Sequence, residues 1–458
     1  MNKILLFREQ FLQKFKDFFR STVFDEEGVV ESPNYLNYFL KKIQNASILM
    51  IPTAFNSGKL FVQEPTNRNE DFDVIRNSTV PRTNQYGNWE EVPVNTPCID
   101  YETGEPLLLT QPQSTNLEIQ SQSFEGYSGN NKVVTDNATT SPKGTISGAI
   151  LADDNSGGTN TVQLIANYTV STSSTYTYSI FAKKKDLDFL SLRLSNFTTP
   201  SNDSSYFDLN LGVVVSEGAG QTAKIKNYGN GWFRCSITFT TDSVDNFGAV
   251  LVRLSQNGID TIVNINNTSN IYIWGAQMEN QPFATSYIET NGSVATRLRD
   301  EILNAGSTDT INSQEGVFYF KGSMANITSK DISLNDGSSG NRIMMRFETD
   351  TFGGKGRFRI LYTTNNVQQR SLSTVEDEIN IFEINEYACV YNQDDASLYV
   401  NGNILDSGSI ANPIPASTLN KLSFDNNSSG GRPFAGKTKE LRVYKSIAQA
   451  QIDLPYIT

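Results

Sequence analysis

A chain of 458 residues is too long for one compact core, so two or three folding units are expected. Hydrophobic residues make up 38% and charged residues 19%, and the balance leans toward Asn, Ser, Thr and Gly, a composition suited to many short strands joined by polar turns. Acidic residues outnumber basic ones by 49 to 37, which disfavours gripping a nucleic-acid backbone, and the absence of histidine excludes Ser-His-Asp, Cys-His and zinc-hydrolase mechanisms.

The first 50 residues differ from all that follow. In "ILLFREQFLQKFKDFFRSTVF" the apolar residues Ile4, Phe7, Phe11, Phe15 and Phe18 recur at steps of three and four between charged ones, predicting an amphipathic helix. Ser32 and Pro33 open a second helix through "NYLNYFLKKIQN". Residues 1–54 are therefore read as a helical anchor or oligomerisation segment, with Phe7, Phe11, Phe15 and Phe18 as its anchoring side chains. A local cap, an oligomerisation bundle and a peg into a larger assembly all suit such a stripe; on the peg reading, residues 1–50 can be deleted with the rest still folded. The opening apolar run is broken by Arg8 and Glu9, too early for a secretory signal, and no run reaches the length of a membrane span, so a soluble protein made in a cytoplasm is expected.

Residues 55–115 are punctuated by Pro93, Pro97, Pro106 and Pro112 and read as an extended arm that pairs at sheet edges. Alternating runs follow from "YSGNNKVV" through "TYTYSIFAKK" and "GNGWFRCSITFT" to "NIYIWGAQME", separated by Gly, Asn, Ser and Asp clusters. That cadence predicts a jelly-roll sandwich over 116–305. A second set, from "GVFYFKGSM" to "KTKELRVYKS", predicts another β-sandwich over 306–458. The fold class expected is mainly β, with a short N-terminal helical segment, an extended arm and two β-sandwiches.

Few residues invite chemistry. Alternation in "GNGWFRCSITFT" puts Cys235 in line with Phe233, Ile237 and Phe239, and Arg234 on the opposite face with Trp232, which makes the thiol an inert core residue. Cys98, Cys235 and Cys389 lack any metal or disulfide spacing. Asp153, Asp154, Asp394 and Asp395 sit in turn-like sequence, and Glu279 is read as a structural hydrogen-bonding group. Trp232 and Trp274 belong to strands and are expected to fill or lid the sandwich, leaving Trp89 and Tyr127 as the aromatic candidates for sugar stacking. No cofactor is expected. Ca2+ is considered on ligand type alone, with Asp336 in "SLNDGSSGN" and Asp425 in "FDNNSSGGR" as the candidates.

Three stretches resemble a module of phage fibre and other virion proteins. They are "VIRNSTVPRTNQYGNWEEVPVNTPCIDYETGEPLLLTQPQSTNL", "GNGWFRCSITFT" and "IYIWGAQMENQPFATSYIETNGSVATR", together covering roughly residues 70 to 300. Thr110 and Glu289 depart from the family's usual Glu and Pro. Residues from about 311 resemble a laminin-G or concanavalin-like lectin domain through "YACVYNQDDASLYVNGNILDSG" and "FAGKTKELRVYKSIAQAQI", where Asn401-Gly402 makes a tight turn and Gly436 a close strand start. The resemblance implies a bacteriophage head or tail fibre or decoration protein, located in the virion, without enzymatic activity. It further implies a homotrimer bound to other virion proteins through its N-terminus and touching host surface glycans, with no nucleic-acid or membrane partner. A tailspike-like enzyme with paired carboxylates and a prophage-derived adhesin are the alternatives.

Overall fold

A computed structural model describes residues 45–56, 58–62, 70–102, 104–200, 202–325, 327–349, 354–427 and 430–457. The expected N-terminal helices, and Phe7, Phe11, Phe15 and Phe18 with them, lie outside the described residues. What is described is almost entirely antiparallel β-structure with one helix, Ile447–Asp453. That helix is far too short to cross a membrane.

The first sandwich pairs two six-stranded sheets. One runs in the order Ser128–Asn130, Gln163–Thr169, Phe247–Ser255, Phe189–Ser195, Ser204–Asp208, Val213–Ser216. The other runs Lys132–Thr140, Ile146–Asp153, Asn270–Glu279, Thr175–Lys184, Trp232–Thr240, Gln221–Asn227. Alternate residues of each strand meet in a core that holds Tyr178, Ile180, Leu192, Cys235, Ile237, Val252, Ile273 and Met278. The period-two reading of "GNGWFRCSITFT" holds: Cys235, Ile237 and Phe239 face this core with Phe233 at its margin, while Trp232 joins a separate aromatic cluster on the other face.

The second sandwich is built from more than the C-terminal third of the chain. Its larger sheet contains Asn403–Ser409, Asp395–Val400, Asn385–Tyr391, Gly316–Met324 and Gly436–Tyr444, and then takes in Leu107–Thr110 and Ile99–Asp100 from the proline-punctuated stretch. Ile48–Met50 also pairs with Gly436–Tyr444, Leu49 opposite Arg442. Ile48 and Met50 are completely buried in the same core as Phe320, Phe347, Tyr387 and Leu441. Deleting residues 1–50 would therefore strip a core strand, contrary to the expectation that the remainder keeps its fold; a cut at residue 44 spares it. Phe72–Ile75 pairs with Glu301–Leu303 and buries Phe72 and Val74 in that core too.

The opposing five-stranded sheet runs Val367–Ser373, Arg357–Thr364, Arg342–Glu348, Lys330–Asn335, Lys421–Ser423. The closing helix starts at Ser446, whose Oγ accepts from the Gln449 N–H. It lays Ala450 and Leu454 against Tyr319 and Tyr399 on the back of the larger sheet.

Candidate functional site

The conspicuous motif residues converge on one buried polar seam. Arg76 is fully buried, and its guanidinium donates to the carbonyls of Ser78, Pro93 and Thr96 and to Asp300 Oδ1 at 2.8 Å. The other Asp300 oxygen accepts from the Gln111 N–H at 2.8 Å. Gln111 in turn exchanges two hydrogen bonds with Ser286. Glu279, also fully buried, accepts from Ser114 Oγ, Gln277 Nε2, and the N–H and Oγ1 of Thr285. Asn116 clamps the carbonyls of Ala276 and Ile288 and accepts from the N–H groups of Glu118 and Met278. Arg76 to Asp300, Gln111 to Asp300 and Ser286, Ser114 to Glu279, and Asn116 to Ala276 and Ile288 join the arm to the first sandwich, and both Glu279 oxygens are occupied by hydrogen bonds within the protein.

The aromatic candidates lie elsewhere. Trp89 is half-buried against Trp274, Phe181, Tyr287 and Tyr228, with ring centroids 5.5 to 6.2 Å apart. Trp274 and Trp232 are buried, their indole N–H groups donating to Ser147 Oγ and to the Thr140 carbonyl. Tyr127 packs on Phe124 and donates to the Gln120 carbonyl, and burial together with Glu118 raises its pKa well above the ordinary phenol value. Trp89 and Tyr127 are not brought together in one cleft with the acidic candidates. Asp336 spends its oxygens on the N–H and Oγ of Ser338 and on Asn341 Nδ2. Asp425 is fully buried and accepts from the N–H groups of Asn427 and Gly430. Among the described residues no three His, Cys, Asp or Glu side chains converge as a metal-binding group.

A second polar cluster lies on the face of the five-stranded sheet turned away from its core, where the charged side chains are half-buried and Asp331, Ser333, Met344 and Leu361 between them are buried. Inward go Ile332, Leu334, Ile343, Met345, Phe347, Phe358, Ile360 and Leu372. Alternation sends Arg342, Arg346, Glu348, Arg357 and Arg359 the other way. Strand register sets these in rows: Asp331, Arg346, Arg359 and Ser373 across four strands, Glu348 beside Arg357, and Asn335, Arg342 and Thr363 at the far end. Arg346 donates two hydrogen bonds to the buried Asp331 carboxylate at 2.8 and 3.1 Å and lies over Met344, its Nη2 3.9 Å from Sδ. Arg357 and Arg359 share Glu348, and Arg359 also reaches Ser371 Oγ at 2.7 Å. The side chains of Arg357 and Arg359 keep 39% and 24% of their exposure, so part of each reaches solvent. Arg342 donates to the Asn426 carbonyl, while its buried Nε has no partner. Desolvation, and then Arg346 and Arg432, pull the Arg342 pKa below the ordinary guanidinium value, against the pull of Asp331.

Sequence reasoning passed over this face. Its signal stands in "NRIMMRFE" and "GRFRILYTT", where alternation aligns the arginines opposite the core residues, a pattern otherwise read as an ordinary solvated strand surface.

Residues 318–452, which include this face, match the concanavalin A-like lectin/glucanases superfamily, Laminin_G_3. No curated protein gives a significant match to the chain. Similar solved structures include the Ruminococcus gnavus IT-sialidase CBM40, at 10% identity over 34% of this chain and 94% of that one with a TM-score of 0.26. A Bacillus licheniformis beta-glucanase matches at 14% identity over 32% and 72% of the two chains, TM-score 0.23. A heptameric SAP-like pentraxin from Limulus polyphemus matches at 9% identity over 32% and 70%, TM-score 0.25. Over 318–452 the C-terminal sandwich thus matches a lectin-type superfamily, in line with the resemblance of its hairpin and closing strand.

Proposed function

We propose that the chain is a bacteriophage fibre or decoration protein that binds glycans through its C-terminal sandwich and cleaves none. One observation carries the glycan reading: the superfamily match over 318–452 coincides with a sheet face that bears four fork-shaped guanidinium donors. Both carboxylates on the three central strands of that face, Asp331 and Glu348, are held by arginines, an arrangement for orienting donors rather than for delivering a proton. The virion reading rests on the resemblance of the seam-forming motifs to phage fibre modules, with the N-terminal Phe stripe as anchor and a homotrimer as the assembled form.

The test is to present purified protein with an array of bacterial surface polysaccharides and to assay the bound ones for new reducing ends. Retention without cleavage supports the proposal. Turnover abolished by a single Asp or Glu substitution would establish the enzymatic alternative instead. Labelling the chain on intact particles by electron microscopy tests the virion half, and unlabelled particles would overturn it.

A further inference from the structure

Arg346 and Arg359 stand directly opposite each other on neighbouring strands, an arrangement that is destabilising unless counter-charge lies between or beside them. On the strands Lys330–Asn335, Arg342–Glu348 and Arg357–Thr364, four guanidiniums share the outer face with only two carboxylates, Asp331 and Glu348. This concentration of cations sits in a chain of net charge −12, so it is a local feature against the general trend. The ends of the face keep part of their guanidinium surface in solvent: Arg342 is half-buried, and the Arg357 and Arg359 side chains are exposed in part beside the single carboxylate they share. Ser371 and Ser373 flank Arg359 on the next strand, the Ser371 hydroxyl accepting from Arg359 and the Ser373 hydroxyl donating to the Thr374 carbonyl.

We infer that this face binds an acidic polysaccharide, the carboxylate or sulfate groups of successive sugars docking on Arg359 and Arg342 while ring hydroxyls meet the serines. The inference rests on the glycan-binding reading of the same sandwich and adds the class of sugar. A planar guanidinium fork matches a carboxylate or sulfate edge in two parallel hydrogen bonds, which a neutral sugar hydroxyl cannot do. Arg346 serves chiefly to hold the buried Asp331 and to raise the local potential, its side chain being the least exposed of the three that form ion pairs on this face.

Binding of the full chain to polygalacturonate, dextran sulfate, neutral dextran and duplex DNA, measured in 0.05 and 0.5 M NaCl, tests this. The expected result is retention of one or both acidic polysaccharides, the preferred one distinguishing carboxylate from sulfate, with little retention of dextran or DNA. Arg359→Gln and Arg342→Gln should each weaken it about tenfold, in keeping with loss of a charge-assisted pair. Arg359→Lys should recover only part, and Lys184→Gln, the same charge change on the other sandwich, should leave binding as it was. Glu348 keeps Arg357 in the Arg359→Gln variant, and unchanged thermal melting confirms that the fold is retained. Equal binding of dextran overturns the acidic preference but leaves the glycan reading standing. Equal binding of DNA, or full binding by both Gln variants, shows general attraction to polyanions and overturns the site. Retention of none of the polysaccharides sinks both readings.

Discussion

Arg76 shows what a single familiar residue is for. Its guanidinium, buried completely, satisfies three carbonyls and one carboxylate drawn from both sides of the seam. Arg76→Ala would leave Asp300 buried with much of its counter-charge gone, and a loss of about 3–5 kcal/mol is expected in urea denaturation. Arg76→Lys should restore little, since one ammonium cannot span the fork. The three cysteines give the opposite lesson, of reactive types made inert by place. Burial pushes the Cys98 thiol up to about 12 and lifts Cys235 and Cys389 well above the ordinary thiol value. A thiol reagent at pH 8 should therefore label none of them in the native protein and all three after unfolding; stoichiometric labelling without unfolding would contradict this.

Individual elements separate what local sequence encodes from what only long-range pairing decides. The long strands were legible because a two-residue period survives over seven to ten residues, as in Thr175–Lys184 and Trp232–Thr240. Asn401 and Gly402, at φ of 49° and 82°, form the turn their sequence announces. Ile48–Met50 and Leu107–Thr110 are only three and four residues long, and nothing local tells that they pair with a strand far along the chain. The arginine face escaped for a related reason: its meaning lies in the cross-strand register of Arg346 and Arg359, which no single segment displays. Short pairings still matter energetically. A chain lacking residues 1–50 should melt below one lacking only 1–44, because the longer deletion also loses burial of Ile48 and Met50, about 1.5–3 kcal/mol for each side chain. Gly436→Ala tests the start of the last strand, where a Cβ would fall 2.1 Å from the Ser323 carbonyl oxygen. Relieving that overlap should cost about 1–3 kcal/mol, read from the denaturation midpoint.

At the scale of the whole molecule, the two sandwiches are tied by an ionic latch as well as by the seam. Lys226 of the first sandwich and Lys437 of the second both grip Glu102, at 3.0 and 2.7 Å, and Lys437 also reaches Asp100 at 3.0 Å. Burial works to raise the Glu102 carboxyl, but the two lysines overcome it and hold its pKa down to about 2. Because the folded value lies below that of an unfolded glutamate, the latch stabilises fully above about pH 4.5 and loses that contribution as pH falls through about 2. Two-fifths of the Glu102 side chain is exposed, so solvent and salt reduce the effect below what the shift alone implies. Glu102→Gln should therefore melt below wild type at pH 7, with the gap narrowing between pH 4.5 and pH 2 and shrinking further in 0.5 M NaCl. Comparing the two proteins at each pH cancels the many other carboxylates that titrate in both. A gap that stays constant from pH 7 to pH 3 and ignores salt would mean that Glu102 contributes through packing alone, and that the seam holds the sandwiches without the latch.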